Sequence, residues 1–205
     1  MAACRALGRV LARLLFQLRI EGEQHVPRTG PVLLAGNHTG FVDGPLVFLL
    51  APRPVSLLAK AEIFRGPLAP IFGWLGQIPV HRGQPDRNAL SQGLAQLAAG
   101  GALGVFPEGT RGTGTFAQIT DGLAYLALRS GAPVVPVAVF GTAQAWGKGG
   151  GLPHLRAPVR IVYGPALVLD IDGDRRARRT VSLAAEQLRC GLVDHLQAAT
   201  RGSGR

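Results

Sequence analysis

Short apolar runs alternate with segments of helical periodicity along most of the 205-residue chain, and this alternation limits the fold more than any other feature. The apolar runs that predict strands are residues 31–36, 55–59, 77–80, 102–106, 133–140 and 158–163. The segments that predict helices are residues 44–51, residues from Asp86 to the Gly100-Gly101 stop, part of 116–130, and 180–199. Strands alternating with helices form a sheet covered by helices on both faces, so the sequence predicts a single-domain α/β fold.

The first residues form a separate pattern, that of an amphipathic helix over residues 2–19. Its apolar stripe comprises Leu7, Val10, Leu11, Leu14, Leu15 and Leu18. Arg5, Arg9 and Arg13 recur every fourth residue on the opposite face. Because Arg13 interrupts the apolar stretch and no small-residue cleavage site follows, we expect this helix to stay in the mature protein. We therefore divide the chain into an N-terminal helix (1–19), a main domain (20–200) and a flexible tail (201–205).

The chain is strongly basic, with 22 Lys and Arg against 12 Asp and Glu and a formal net charge of +10. Such a surplus implies an anionic partner: a nucleic acid, a lipid surface or a phosphorylated substrate. An arginine-rich composition inherited from a GC-rich genome explains it equally well. The two cysteines, Cys4 and Cys190, lie far apart, which offers neither a disulfide framework nor a zinc site and fits a reducing compartment.

A histidine follows the first strand predicted in the main domain, within Asn37-His38-Thr39-Gly40-Phe41-Val42-Asp43. Functional loops of α/β proteins lie at the carboxyl ends of strands. A turn can bring the Asp43 carboxylate onto one imidazole nitrogen, so that the other nitrogen accepts a proton. The chain has no Gly-x-Ser-x-Gly motif, and neither cysteine lies near His38 in sequence. The pattern therefore favours a base that activates a hydroxyl of the substrate, as in acyl or phosphoryl transfer to an alcohol.

A glycine-rich segment, Phe106-Pro107-Glu108-Gly109-Thr110-Arg111-Gly112, follows another predicted strand. Its glycines allow the backbone to approach a ligand closely. Arg111 has a planar group suited to a phosphate, and Glu108 can accept hydrogen bonds from a polyol. A glycine-rich surface turn with a local Glu–Arg pair explains the same residues without a ligand.

Together these segments resemble the motifs of the 1-acylglycerol-3-phosphate acyltransferase (lysophosphatidic acid acyltransferase) family. The matching blocks, from Val26 to Gly141, are Asn37-His38-x4-Asp43, Gly76-Gln77-Ile78-Pro79-Val80-His81-Arg82, Phe106-Pro107-Glu108-Gly109-Thr110-Arg111 and Val135-Pro136-Val137. The resemblance implies that His38 is a general base oriented by Asp43. It also implies that the acceptor is bound by the segment Glu108, Gly109, Thr110 and Arg111. In the family, residues at the positions of Lys60 and Arg82 complete a basic pocket for the acceptor phosphate.

Two positions depart from the family's motifs. Gly40 stands where the family usually has serine, and His81 stands where an acidic or polar residue commonly precedes the arginine. Neither change removes the base, so the departures concern the identity of the acceptor.

The resemblance implies transfer of a fatty acyl group from an acyl thioester to the free hydroxyl of a lysophospholipid, most simply 1-acylglycerol-3-phosphate giving phosphatidate. The donor is expected to be acyl-CoA or acyl carrier protein, and no metal or cofactor is expected. The alternatives are acylation of another lyso-lipid or glycolipid, and a catalytically silent lipid-binding module. Nucleic-acid binding rests on the charge alone and is not expected, since few aromatic residues interleave the arginines and no recognition motif occurs.

A bilayer-borne substrate and the basic face of the N-terminal helix both indicate an anionic membrane surface as a partner. No uninterrupted apolar run approaches the roughly 18 residues of a membrane-spanning helix. We therefore expect a cytoplasmic protein, peripherally associated with the inner face of the cell membrane.

Overall fold

The fold is built from a seven-stranded sheet and the helices that cover it. In the computed structural model the described residues are 2–65, 69–81, 86–146, 152–171, 174–175 and 177–202. The strands are β1 (Phe16–Glu21), β2 (Val32–Gly36), β3 (Val55–Lys60), β4 (Ile78–Val80), β5 (Ala102–Val105), β6 (Val134–Phe140) and β7 (Ala157–Tyr163). The helices are α1 (Ala2–Leu15), α2 (Asp43–Leu50), α3 (Ala69–Trp74), α4 (Arg87–Ala98), α5 (Asp121–Ser130), α6 (Thr142–Ala145) and α7 (Arg178–Arg201), with short 3-10 turns at Glu23–His25 and Ala61–Arg65.

The order of the strands is β1-β7-β6-β2-β5-β3-β4. The five strands from β6 to β4 are parallel, so their carboxyl ends share one edge of the sheet, here called the carboxyl edge. β7 pairs antiparallel with β6, and β1 pairs parallel with β7. Every residue of the central strand β2 is buried, as its uninterrupted apolar sequence predicts for a parallel strand covered on both faces.

Two hydrophobic cores lie on opposite faces of this sheet. Residues of α1 and α2 belong to the first core, together with Leu34 of β2. Residues of α4, α5 and α7 belong to the second, together with the neighbouring Leu33. Because successive side chains of a strand point to opposite faces, this division confirms the predicted α/β sheet with helices on both faces.

The N-terminal helix is shorter than the sequence predicts. It ends at Leu15, and residues 16–21 form β1, so the prediction of a helix over 2–19 is wrong in its last four residues. Phe16, Leu18 and Ile20 alternate with polar residues, which is the pattern of a strand. The segment forms a strand rather than a continuation of the helix because it pairs with β7. At the other end, Arg201 is the last residue of α7, while 203–205 lie outside the described residues.

The arginine face of α1 packs against the domain. Arg5 is buried and donates hydrogen bonds to the carbonyl oxygens of Phe48 (3.2 Å), Ala51 (2.7 Å) and Arg53 (2.8 Å). Arg9 donates to the carbonyls of Leu49 (2.7 Å) and Ala51. The last carbonyls of a helix lack partners within it and attract cations, so the two guanidinium groups cap the carboxyl end of α2.

Four residues of the predicted apolar stripe face outward instead, while Leu15 and Leu18 pack against the first core. The four exposed side chains are Leu7 (72 %), Val10 (54 %), Leu11 (53 %) and Leu14 (63 %). The sequence predicts Arg5 and Arg9 on the membrane-binding face, and the structure corrects this, because both are held against α2. No helix in the described part of the chain combines the length and apolar character needed to cross a membrane.

Candidate active site

His38 and Asp43 meet at the carboxyl edge, just beyond the end of β2. His38 Nδ1 lies 2.8 Å from Asp43 Oδ2, and Asp43 is fully buried at the start of α2. The same oxygen accepts the backbone N–H groups of Thr39 (2.7 Å) and Gly40 (2.8 Å). An oxygen that already accepts two amide protons acts as an acceptor toward Nδ1, which assigns the ring proton to Nδ1. The other ring nitrogen, Nε2, then keeps a lone pair that can accept a proton.

Glu108, from the end of β5, holds this loop in place. Its Oε2 accepts the backbone N–H of His38 at 2.9 Å, and its Oε1 accepts the backbone N–H of Phe116 at 3.0 Å. Phe116 is buried with a φ of 54°, a left-handed conformation that is strained for a bulky residue. Glu108 therefore ties two loops of the carboxyl edge together. Its predicted role in binding the acceptor stays a prediction.

Two further contacts fix the His38 loop. The Phe106 ring stacks on the imidazole of His38, with 4.6 Å between ring centroids. The side chain of Asn37 is buried and exchanges two hydrogen bonds with the backbone of Val139, Nδ2 to the carbonyl at 2.9 Å and the N–H to Oδ1 at 2.7 Å. Asn37 thus joins the end of β2 to the neighbouring strand β6. These contacts limit rotation of the imidazole, as a positioned base requires.

Gly40 has a structural reason to lack a side chain. A Cβ atom at this position would lie 2.7 Å from the carbonyl carbon of Thr142 and 2.8 Å from its Oγ1. Thr142 is fully buried, and its hydroxyl lies 3.1 Å from that of Thr39. Thr142 therefore fills the space that a serine at position 40 would need. The sequence alone does not reveal this contact, since 102 residues separate the two positions.

A cavity of about 680 Å³ opens beside this site. Phe106 and Glu108, which both contact His38, line it together with Gly109 and Thr110. Its apolar wall consists of Leu58, Val80, Ala89, Leu90, Val105, Leu123, Tyr125 and Val181. The remaining lining residues are polar or small: His81, Asp86, Thr120, Asp121 and Gly122. A volume of this size is typical of a small-molecule site, for which the range is about 300–1,000 Å³.

Lys60 and Arg111 are the two residues of the predicted basic pocket that lie within the described part of the chain. Lys60 lies at the carboxyl end of β3, where its Nζ is 3.3 Å from Glu62 Oε1. Arg111 is exposed, and its guanidinium carbon lies 5.9 Å from the centre of the Phe41 ring. Neither side chain lines the cavity. Arg82 lies outside the described residues.

A second histidine–aspartate pair, His81 and Asp86, lies at the same edge. His81 Nδ1 is 2.9 Å from Asp86 Oδ2, which also accepts the His81 backbone N–H at 2.9 Å. Asp86 Oδ1 accepts the backbone N–H of Ala89 at 3.0 Å and caps α4, the helix that the sequence predicts to begin at Asp86. Hydrogen bonds from the backbone N–H groups of His81 and Ala89 lower the pKa of Asp86 to about 2. The pair itself is not predicted, although its five-residue spacing repeats that of His38 and Asp43.

Comparison with known proteins identifies relatives of the chain. Residues 17–140, or 124 of 205, match the sequence model of the family described as Acyltransferase. The lyso-ornithine lipid O-acyltransferase of Pseudomonas aeruginosa is 38 % identical over 158 residues, which are 74 % of this chain and 56 % of that protein. The 1-acyl-sn-glycerol-3-phosphate acyltransferase of Borreliella burgdorferi is 30 % identical over 151 residues, 69 % of this chain and 58 % of that protein. The chain thus spans less than three fifths of either relative's length.

A solved structure supports the same assignment at the level of the fold. The crystal structure of the 1-acyl-sn-glycerophosphate (LPA) acyltransferase PlsC from Thermotoga maritima matches with a TM-score of 0.68 and 24 % identity, over 95 % of this chain and 78 % of that one. The matched family region contains both His38 with Asp43 and the Glu108 loop. Since this region is more than half of the chain, the chain belongs to the acyltransferase family.

Proposed function

We propose that the protein transfers a fatty acyl group from an acyl thioester to the free hydroxyl of a lyso-lipid. The observation that carries the proposal is the 2.8 Å contact between His38 Nδ1 and a fully buried Asp43. Phe106 and Glu108, which both contact His38, line a mostly apolar cavity. Among the described residues, neither cysteine supplies a nucleophile here, because both are exposed on helices α1 and α7. In the proposal, the attacking oxygen is the hydroxyl of the acceptor.

In the proposed reaction, His38 Nε2 removes the proton of the acceptor hydroxyl while Asp43 Oδ2 accepts the hydrogen bond of Nδ1 at the other edge of the ring. The hydroxyl oxygen attacks the thioester carbonyl, the carbon–sulfur bond breaks, and the departing sulfur takes the proton back from the imidazolium. The products are an ester and a thiol, so the step balances without a metal or a redox cofactor. The donor, acyl-CoA or acyl carrier protein, belongs to the same proposal.

The cavity supports a substrate with a long hydrocarbon part. Eight apolar side chains line the cavity. Transfer of methylene groups from water to such side chains contributes about 0.8 kcal/mol per CH₂. We assign the acyl chain to this wall. The reacting carbonyl would then lie near Phe106 and Glu108, the two lining residues in contact with His38.

Two acceptors are proposed. The sequence favours 1-acylglycerol-3-phosphate, the acceptor named for the Borreliella burgdorferi relative. A lyso-aminolipid is the second candidate, because the Pseudomonas aeruginosa relative is named for lyso-ornithine lipid. In both cases the acceptor resides in a membrane. We therefore propose peripheral contact of the protein with the inner face of the cell membrane through the exposed apolar stripe of α1.

The test is thiol release and product analysis over a matrix of two donors, acyl-CoA and acyl carrier protein, and a panel of lyso-lipids. Wild-type protein is expected to turn over at least one combination. His38→Ala should lower kcat on the order of 10²–10⁴-fold, the usual contribution of a general base. His25→Ala is the matched control, because His25 is exposed at the opposite edge of the sheet. A folded His38→Ala protein with near-normal turnover would refute the mechanism, and no turnover in the whole matrix would favour a silent lipid-binding module.

A further inference from the structure

An exposed apolar surface lies on the segment that connects β3 to β4. Ile63, in the 3-10 turn Ala61–Arg65, is 38 % exposed, and Ile71 and Trp74 of α3 are 49 % and 61 % exposed. We propose that these three side chains, here called the α3 surface, form a second membrane contact of the protein. The inference rests on the proposed function, which puts the acceptor in a membrane, and it adds a contact that does not belong to α1.

Little of α3 packs on the domain. None of its six residues is buried, and all six are uncharged. The Phe72 ring lies 5.7 Å, between centroids, from the ring of Phe64 in the 3-10 turn, and both residues are partly exposed. Leu75, directly after the helix, is partly buried against the first core. Such an apolar element at the surface marks a site of contact with a partner or a membrane.

The α3 surface lies on the same face of the sheet as α1 and α2. The connections β2-α2-β3 and β3-α3-β4 both join parallel strands, and both advance in the same direction along the strand order. Crossovers between parallel strands are right-handed, so α2 and α3 cover the same face. The packing of Leu75 against the first core, to which residues of α1 and α2 belong, agrees with this. One flat membrane can therefore contact α1 and α3 together.

Both apolar surfaces reach the carboxyl edge, on either side of the start of α2. Ile63 lies just beyond the carboxyl end of β3. On the other side, Leu14 lies next to the start of β1, which pairs with the start of β7, and β7 begins at this edge because it runs antiparallel to β6. α2 begins at Asp43 after β2, which lies between β1 and β3 in the strand order. A membrane that contacts both surfaces therefore faces the loop of His38.

A bilayer fits the α3 surface better than a protein partner does. The exposed fractions together equal about one and a half side chains, or roughly 200–400 Å² at about 150–250 Å² for each large side chain. A stable dimer interface buries about 800 Å² on each partner, so the surface is too small for a second copy of the chain. An acidic carrier protein is bound through cations, whereas these three side chains are apolar. A bilayer adds the burial of several separate patches in one plane, and tryptophan is typical of its interface.

The first experiment uses Trp74 as a reporter of its own surroundings. The chain has two tryptophans, so Trp146→Phe leaves Trp74 alone. Its emission is recorded with phosphatidylcholine vesicles, either plain or with bromine on the acyl chains close to the headgroups. We expect a shift to shorter wavelength and quenching by the bromine. The matched control carries its single tryptophan on α7, on the opposite face, as Leu183→Trp with Trp74→Phe and Trp146→Phe. It should show neither effect while the protein is bound to the vesicles.

The second experiment, co-sedimentation with the same vesicles, measures the contribution of the surface without replacing Trp146. Ile71→Gln with Trp74→Gln should weaken vesicle affinity about 10- to 200-fold, because the two exposed fractions equal about one side chain that is no longer buried in lipid. Leu183→Gln should leave the affinity unchanged. Since α3 contains no buried residue, the double variant is expected to keep the Tm of the wild type.

Binding is measured without turnover, so support for the α3 surface does not depend on whether any lyso-lipid is acylated. Unchanged affinity of the double variant, or vesicle-bound protein whose Trp74 is not quenched, would overturn the inference and leave the acyltransferase function intact. A dimer that the double substitution dissociates would assign the surface to a second copy of the chain instead. A shift of Trp74 emission with acyl carrier protein but not with vesicles would assign it to that carrier.

Discussion

The exposed stripe of α1 makes a quantitative prediction about membrane binding. The exposed fractions of Leu7, Val10, Leu11 and Leu14 together equal roughly two and a half fully exposed side chains. Burial of one such side chain contributes about 1.5–3 kcal/mol, so insertion of the whole stripe contributes about 4–7 kcal/mol. The double substitution Leu7→Gln with Leu11→Gln removes about half of this, roughly 2–4 kcal/mol. The expected weakening of vesicle affinity is about 30- to 800-fold.

The assay is co-sedimentation with vesicles of zwitterionic lipid and with vesicles that contain anionic lipid, each over a salt series. Arg5 and Arg9 are held by carbonyls of the α2 segment, and Arg19 is paired with Glu21 at 2.6 Å. Each basic side chain near an anionic surface contributes only about 1 kcal/mol, and the helix offers few free ones. We therefore expect binding to zwitterionic vesicles and a weak salt dependence.

Leu183→Gln is the matched control for this prediction. Leu183 is 52 % exposed on α7, which packs on the opposite face of the sheet. Its substitution should leave binding unchanged. If the α1 double variant binds as well as wild type, or if moderate salt releases the wild-type protein, charged surfaces bind the membrane and the reasoning from apolar burial is wrong.

Three further predictions concern single residues. Asp43→Asn should lower kcat on the order of 10²–10⁴-fold with little change in acceptor KM, because it disturbs the His38 tautomer; steady-state kinetics checks this. Gly40→Ser should lower the free energy of unfolding by about 1–3 kcal/mol, since the new Cβ meets Thr142, and an unchanged urea midpoint would show that Thr142 moves aside. The Asp86 carboxyl has a folded-state pKa of about 2 against an ordinary value of 3.8, so the stability it adds is complete above about pH 4 and is lost as the pH falls toward 2. Urea unfolding from pH 5 to pH 2 should therefore show a smaller loss for Asp86→Asn than for wild type.

The central sheet could be predicted because its strands are apolar without interruption. Residues 31–36 and 133–140 can be buried only between two layers of helices, and they form β2 and β6. The strand β1 escaped prediction because an edge strand is half polar, and its alternation overlaps the end of a helical stripe. Its pairing with β7, about 140 residues away in sequence, makes this segment a strand.

In the candidate site too, contacts between residues close in sequence could be predicted, and contacts that depend on strand pairing could not. The contact of His38 with Asp43 is local, so five-residue spacing and the position after a strand predicted it. The carboxylate of Glu108 on the His38 backbone is not local, because it depends on β2 and β5 being neighbours. The orientation of α1 was also beyond prediction, since an amphipathic pattern does not state which face meets the protein. The arginine face of α1 meets the protein because Arg5 and Arg9 donate hydrogen bonds to carbonyl groups at the end of α2.

The capping of α2 by α1 has a mechanical consequence. α2 begins at Asp43, the residue that orients His38, and its other end is held by the guanidinium groups of Arg5 and Arg9. Its eight residues form a rod of about 12 Å, at roughly 1.5 Å per residue. A force applied to α1 therefore reaches the Asp43 carboxylate through one stiff element, with no loop between them to absorb it.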